Sequence, residues 1–160
     1  MFIPIEKTND KFKNYELLLE TLPFYLNEGD PWYTTLSNAS AMLNYFMDDI
    51  NWVGFYKLEG EKLYLAPFNG LPACTEIMLG RGVCGVSASK EETIIVKDVH
   101  AFEGHIACDS NSQSEIVVPL VKGEQLFGVL DIDSPVKNRF DDTDQQYLEA
   151  VVRVIVDKLS

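Results

Sequence analysis

Three cysteines, two histidines and a few well-placed carboxylates are the side chains of this 160-residue chain whose types and spacing suggest chemistry. Cys108 stands in Gly104-His105-Ile106-Ala107-Cys108-Asp109-Ser110, a polar stretch with no regular hydrophobic period, where a thiol can meet a small molecule. Cys74 follows the turn-like Asn69-Gly70-Leu71-Pro72-Ala73. Cys84 lies among Gly82, Val83, Gly85 and Val86 and reads as the packed, structural thiol. Nucleophilic or redox chemistry is open to such groups, and the plain alternative for each is a small buried hydrophobe. With His105 the three thiols supply four ligands of zinc type. Paired zinc ligands belong about two to four residues apart, however, and only His105 and Cys108 come that close, so no metal is expected. A Cys–His pair for acyl transfer has no oriented base that spacing identifies.

The carboxylates form a second constellation. Asp131 and Asp133 flank Ile132 at the end of an apolar run, so a strand's period of two points both to one face, and Glu115 opens the preceding run. Acids that share a cleft bind a cation or share a proton; as strand-end residues in solvent they do neither. Trp52 and Tyr56, four apart on a β-favouring stretch, also share a face and are expected to fill core or wall a pocket. The string Gly80-x-Gly82-x-x-Gly85 matches a dinucleotide fingerprint, but no parallel strand-turn-helix-strand unit surrounds it.

The elements that must hold these groups follow from hydrophobic period. Phe12, Tyr15, Leu18, Leu19, Leu22 and Leu26 recur at spacings of three and four, predicting a helix over 10–27 that Pro23 kinks or splits. A second helix is predicted from Asp30-Pro31, a cap followed by proline in the first turn, to about Met47, with Leu36, Ala39, Leu43 and Phe46 inward. Residues 52–56 and 63–65, separated by Glu59-Gly60, read as a hairpin. A third strand is expected over 73–78, a short helix over 83–89 and a fourth strand over 93–96. Residues 97–112 then run for about 15 positions without structure of their own, a length usually tied to function. Two apolar runs, 116–121 and 126–132, meet at Lys122-Gly123-Glu124 as a second hairpin, and 141–160 closes the chain as an amphipathic helix. Helix, helix, about six strands and helix define an α+β fold: a mainly antiparallel central sheet with helices packed on one side.

Composition bounds the setting. Thirteen Lys and Arg against twenty-five Asp and Glu leave a charge of −12, which opposes attraction to nucleic acid or anionic lipid. No leader and no apolar stretch of about 18 residues is present, so a soluble cytoplasmic protein is expected. An odd number of thiols in a chain able to build a core points to reduced cysteines rather than a disulfide scaffold. Without repeats or linkers, residues 1–160 read as one domain.

Taken in order, Asn51-Trp52-Val53-Gly54-Phe55-Tyr56, Gly70-Leu71-Pro72-Ala73-Cys74, Gly80-Arg81-Gly82-Val83-Cys84-Gly85, Asp98-Val99-His100, Gly104-His105-Ile106-Ala107-Cys108-Asp109 and Ser114-Glu115-Ile116-Val117-Val118-Pro119 closely resemble the free methionine-(R)-sulfoxide reductases, small enzymes with a GAF fold. The likeness spans about residues 30–158, and 138–144 resembles the general GAF ending. The resemblance implies that Cys108 attacks the sulfoxide sulfur and becomes a sulfenic acid. It implies that Cys74 resolves this as a disulfide, with Cys84 as alternate resolver, and that thioredoxin or a similar dithiol restores the thiols. By the same resemblance Glu115, Asp131 and Asp133 surround the substrate, Trp52 and Tyr56 wall it, no cofactor is needed and the protein is a homodimer. Acids in a closed pocket favour a free amino acid, whose ammonium pairs them, over a peptide that leaves them unpaired. The reading from another class is a non-catalytic GAF module that binds a small molecule or senses redox state. A length of 160 residues with no output domain favours the enzyme.

Overall fold

Asp10 starts the first helix, α1 (Lys11–Thr21), because its carboxylate accepts the free N–H groups of Phe12 and Lys13. The computed structural model describes residues 1–106 and 108–160; Ala107, part of the stretch read around Cys108, lies outside the described residues. Pro23 lacks the N–H an α-helix would need next, and the chain tightens into a 3-10 turn, Leu22–Tyr25. The expected split therefore falls at that proline. Tyr15, Leu18, Leu22 and Leu26 are buried, whereas Phe12 at the helix start is exposed. The second helix, α2 (Trp32–Phe46), buries Leu36, Ala39, Leu43 and Phe46. Its start differs from expectation. Pro31 sits just outside with an extended backbone, and the Asp30 carboxylate accepts from the Asn27 amide instead of capping.

Six strands follow: β1 (Trp52–Glu59), β2 (Lys62–Asn69), β3 (Glu76–Met78), β4 (Ile94–Val96), β5 (Ser114–Lys122) and β6 (Gln125–Ser134). They form one antiparallel sheet in the order β3-β2-β1-β6-β5-β4, so β1 and β6 are its centre. β3 is shorter than the expected 73–78, because the carbonyl of Cys74 turns out of the sheet to accept from the Tyr56 hydroxyl. Between β3 and β4 lies α3 (Gly82–Lys90), and α4 (Asp142–Lys158) ends the chain under a capping box of Asp141 and Asp144.

The period of two sorts the sheet into faces. Val53, Phe55, Ile116, Val118, Leu130 and Ile132 form one core with residues of α1, α2 and α4. Trp52, Tyr56, Val117 and Val129 form a second core with Val83, Cys84 and Ala88 of α3. The helices are thus divided three to one rather than gathered on one side; small side chains let α3 lie against the opposite face. Leu130, fully buried in a central strand, is the kind of residue whose truncation to alanine costs about 2–5 kcal/mol.

Two glycines allow close approach within the sheet. A Cβ on Gly54 would meet Phe68 Cβ at 2.2 Å and the Trp52 ring at 2.8 Å, and one on Gly128 would meet the Tyr56 carbonyl at 2.0 Å. Without Gly54 the Trp52 ring could not lie flat against Phe68, where the centroids are 5.2 Å apart. Among the described residues of 97–112 the one helical element is the 3-10 turn Val99–Ala101, capped by Asp98. Among the described residues no helix is long and apolar enough to cross a membrane.

Candidate active site

Strand β1 is the spine of the site. Its period directs Trp52, Gly54 and Tyr56 towards α3, and its register sets Trp52 opposite Asp133 and Gly54 opposite Asp131 of β6. On the far side of β6, β5 places Glu115 opposite Asp133 and Val117 opposite Asp131. Three carboxylates from two adjacent strands therefore share the face that α3 covers. Glu115 and Asp131 are buried and Asp133 is half-buried, so the solvent-exposed reading of these acids does not hold.

Burial sets their protonation. It penalises the carboxylate of Glu115, and the nearby charge of Asp133 adds to that, pushing Glu115 up to about 8. Asp131 is raised well above the ordinary carboxylate range by burial and then by Glu115. Asp133 is raised by burial and by Asp131. Neutral pH thus finds the cluster holding protons that exposed acids would have lost. His105 stands at its edge, with Nε2 3.3 Å from Glu115 Oε2. Burial lowers the His105 pKa, so this contact joins a neutral imidazole to a carboxyl rather than a fixed ion pair.

The cysteines arrive on two loops anchored to β1. Trp52 Nε1 donates to the carbonyl of Leu71 at 3.1 Å, and the Tyr56 hydroxyl donates to the carbonyl of Cys74 at 2.9 Å. Asn51 Nδ2 donates to Asp109 Oδ2 at 2.9 Å and to Ser112 Oγ at 3.1 Å, which holds the segment that carries Cys108. Between these anchors Cys74 and Cys108 are disulfide-bonded with their Cα atoms 5.8 Å apart, although 34 residues separate them in sequence. Cys84 is the remaining thiol, buried on α3 and close to Glu115 and Asp131. Its pKa is raised by burial first and by Asp131 next, which makes it a poor thiolate.

All eight residues singled out from the sequence line one cavity except Cys74, which reaches it through the disulfide to Cys108. Four residues of the site were not among them: Asn51, His105, Asp109 and Ser112. His105 had a signal, its position three residues before Cys108, but nothing in spacing indicates that it turns towards Glu115. With the disulfide closed, the cavity is about 30 Å³, room for one or two water molecules.

A sheet face that carries buried acids, roofed by one helix and by two cysteine loops, is a thiol-redox pocket on a GAF scaffold. The GAF domain family model matches residues 23–159. The chain is 53% identical over 118 residues to the free methionine-R-sulfoxide reductase of Escherichia coli, which covers 74% of this chain and 72% of that protein. It superposes on fRMsr of Staphylococcus aureus in its reduced form with a TM-score of 0.88, at 48% identity, over 99% of this chain and all of the other. The free methionine-R-sulfoxide reductase of Neisseria meningitidis, solved in complex with its substrate, gives a TM-score of 0.93 at 40% identity, over 99% of this chain and 95% of that one. The chain belongs to the free methionine-R-sulfoxide reductase family of GAF-domain proteins.

Proposed function

We propose that this protein reduces free methionine (R)-sulfoxide to methionine with its own thiols. The observation that carries the proposal is the bond between Cys74 and Cys108 at the mouth of a cavity floored by protonated acids. Cys108, the more exposed of the two, attacks the sulfoxide sulfur; the oxygen passes to Cys108 as a sulfenic acid and methionine leaves. The Cys74 thiol then displaces that oxygen as water and closes the disulfide. Glu115, which retains its proton near neutral pH, supplies it to the sulfoxide oxygen as negative charge develops there. Asp131 and Asp133 take the substrate ammonium, while the stacked rings of Trp52 and Tyr56 receive the thioether chain. The ammonium also offsets the negative charge that Asp131 and Asp133 carry once they ionise around it, so that charge does not oppose the Cys108 thiolate in the complex.

An external dithiol of thioredoxin type completes the cycle by exchange. The proposal extends to residues 1–160 acting as one domain and to a cytoplasmic setting, which composition and cysteine usage support, and to a homodimer, which the family resemblance supports. Coupled turnover with dithiothreitol or thioredoxin tests the activity on free (R)-sulfoxide, the (S) epimer and a peptide carrying methionine sulfoxide. Turnover of the free (R) form alone is expected. Absence of turnover from protein with reduced thiols would instead favour a ligand-binding GAF module.

A further inference from the structure

We propose that Cys84, Glu115 and Asp131 form a binding site for a borderline or soft divalent cation, of zinc or cadmium type, at the floor of the cavity in the disulfide-bonded protein. One ligand atom from each residue, a thiol sulfur and two carboxylate oxygens, lies within 4.8 Å of the other two. That spread closes around one ion by small side-chain rotations, given bonds of about 2.0–2.3 Å from zinc to oxygen or sulfur. A second observation points to a ligand: Asp131 is 7% exposed, lines the cavity, and its Oδ1 has no hydrogen-bond partner. A buried carboxylate oxygen left in that state is costly unless something cationic or protic reaches it.

Size and charge select the occupant. The cavity of about 30 Å³ suits a single ion with one or two waters. Two carboxylates and a sulfur exceed what a monovalent cation would hold, and the sulfur disfavours magnesium and calcium, which take oxygen ligands. Binding releases the Cys84 thiol proton and any carboxyl proton to solvent as the metal bonds form; no electron moves. His105, already beside Glu115, can turn its imidazole to the open side of the ion. Three protein ligands with an open position is also the arrangement of reactive rather than structural zinc. Such an ion would occupy Asp131, proposed above for the substrate ammonium, and Glu115, proposed above as the proton donor.

The test is a cadmium titration of the fully oxidised protein, in which Cys84 is the only thiol, followed by the thiolate-to-metal charge-transfer band in the ultraviolet. A saturable band at one equivalent is expected, absent in Cys84→Ser and shifted at least about tenfold to higher cadmium in Glu115→Gln and Asp131→Asn. A wild-type protein without the band, or a band unchanged in all three variants, overturns the proposal. Circular dichroism of each variant with its Cys74–Cys108 disulfide intact shows that loss of the band is not loss of fold. Because the oxidised protein does not turn over, failure of the reductase reading leaves this result untouched.

Discussion

The Tyr56 hydroxyl donates 2.9 Å to the carbonyl of Cys74, so a residue in a central strand fixes the backbone of the loop whose sulfur meets Cys108. The proximity of the two thiols is therefore a property of the sheet as much as of the loops. Tyr56→Phe keeps the ring stacked against Trp52 but removes the donor. A hydrogen bond of this kind is worth about 0.5–1.5 kcal/mol, which corresponds to roughly a 2- to 10-fold slower disulfide closure if it is lost before the transition state. The expected outcome is a longer-lived sulfenic acid on Cys108 in single turnover, read by a sulfenic-acid trapping reagent, with the first attack step unchanged. Equal lifetimes in wild type and variant would show that Cys74 needs no such anchor.

The raised Glu115 pKa has a consequence for stability. In the unfolded chain the carboxyl ionises near its ordinary value of 4.5, whereas the folded protein holds the proton to about 8. Between these values the native state binds more protons than the unfolded state, so stability falls as pH rises. The melting temperature should decline from pH 5 to pH 8. Glu115→Gln, which cannot ionise, should flatten that slope and raise stability at pH 8 relative to wild type, by an amount on the order of a few kcal/mol. An identical slope in the variant would mean that the carboxyl is better solvated than its burial implies.

Much of the architecture is legible in the chain because its helices and hairpins obey simple periods. The spacing of Tyr15, Leu18 and Leu22 marks α1, the position of Pro23 marks its end, and Gly123 marks the β5–β6 turn. The alternation through Asp131 and Asp133 placed both acids on one face. What period could not supply was the face taken by α3: a run of small residues has almost no amphipathic signal, yet this helix decides that those acids are buried rather than solvated. The role of Asn51 was equally hidden. Its partners, Asp109 and Ser112, lie about 60 residues away in a segment without period, and only the folded register of β1 brings them within hydrogen-bond distance.

Away from the cavity, Asp144 ties the helical layer together. It is fully buried and accepts from the Tyr15 hydroxyl at 2.7 Å, Lys11 Nζ at 2.9 Å, an Arg139 nitrogen at 3.2 Å and the backbone N–H of Asp141 at 2.9 Å. Its removal strands the Arg139 charge and the Tyr15 hydroxyl and breaks the capping box of α4. Asp144→Ala should lose about 3–5 kcal/mol in denaturant unfolding. Asp144→Asn, which retains the shape and some acceptors, should lose less. Equal losses would assign the whole effect to the carboxylate charge, with nothing left for the shape and acceptor that asparagine keeps.

The division of labour among the thiols follows from where each is held. Cys74 is bonded to Cys108 at the cavity mouth, whereas Cys84 is packed on α3, where burial first and Asp131 next oppose a thiolate. A resolving thiol must reach the Cys108 sulfur in an S–S geometry that allows Cα atoms no more than about 7 Å apart, and the Cys74 pair meets that at 5.8 Å. Three variants separate the roles. Cys108→Ser should abolish reduction of free methionine (R)-sulfoxide, because no sulfur remains to take the oxygen. Cys74→Ser should release about one equivalent of methionine per protein with thioredoxin as the reductant and then stall as the sulfenic acid. Cys84→Ser should still form the Cys74–Cys108 disulfide and sustain repeated turnover. Mass spectrometry of the oxidised proteins distinguishes the cases, and a Cys84–Cys108 disulfide that supports full turnover in Cys74→Ser would return the resolving role to Cys84.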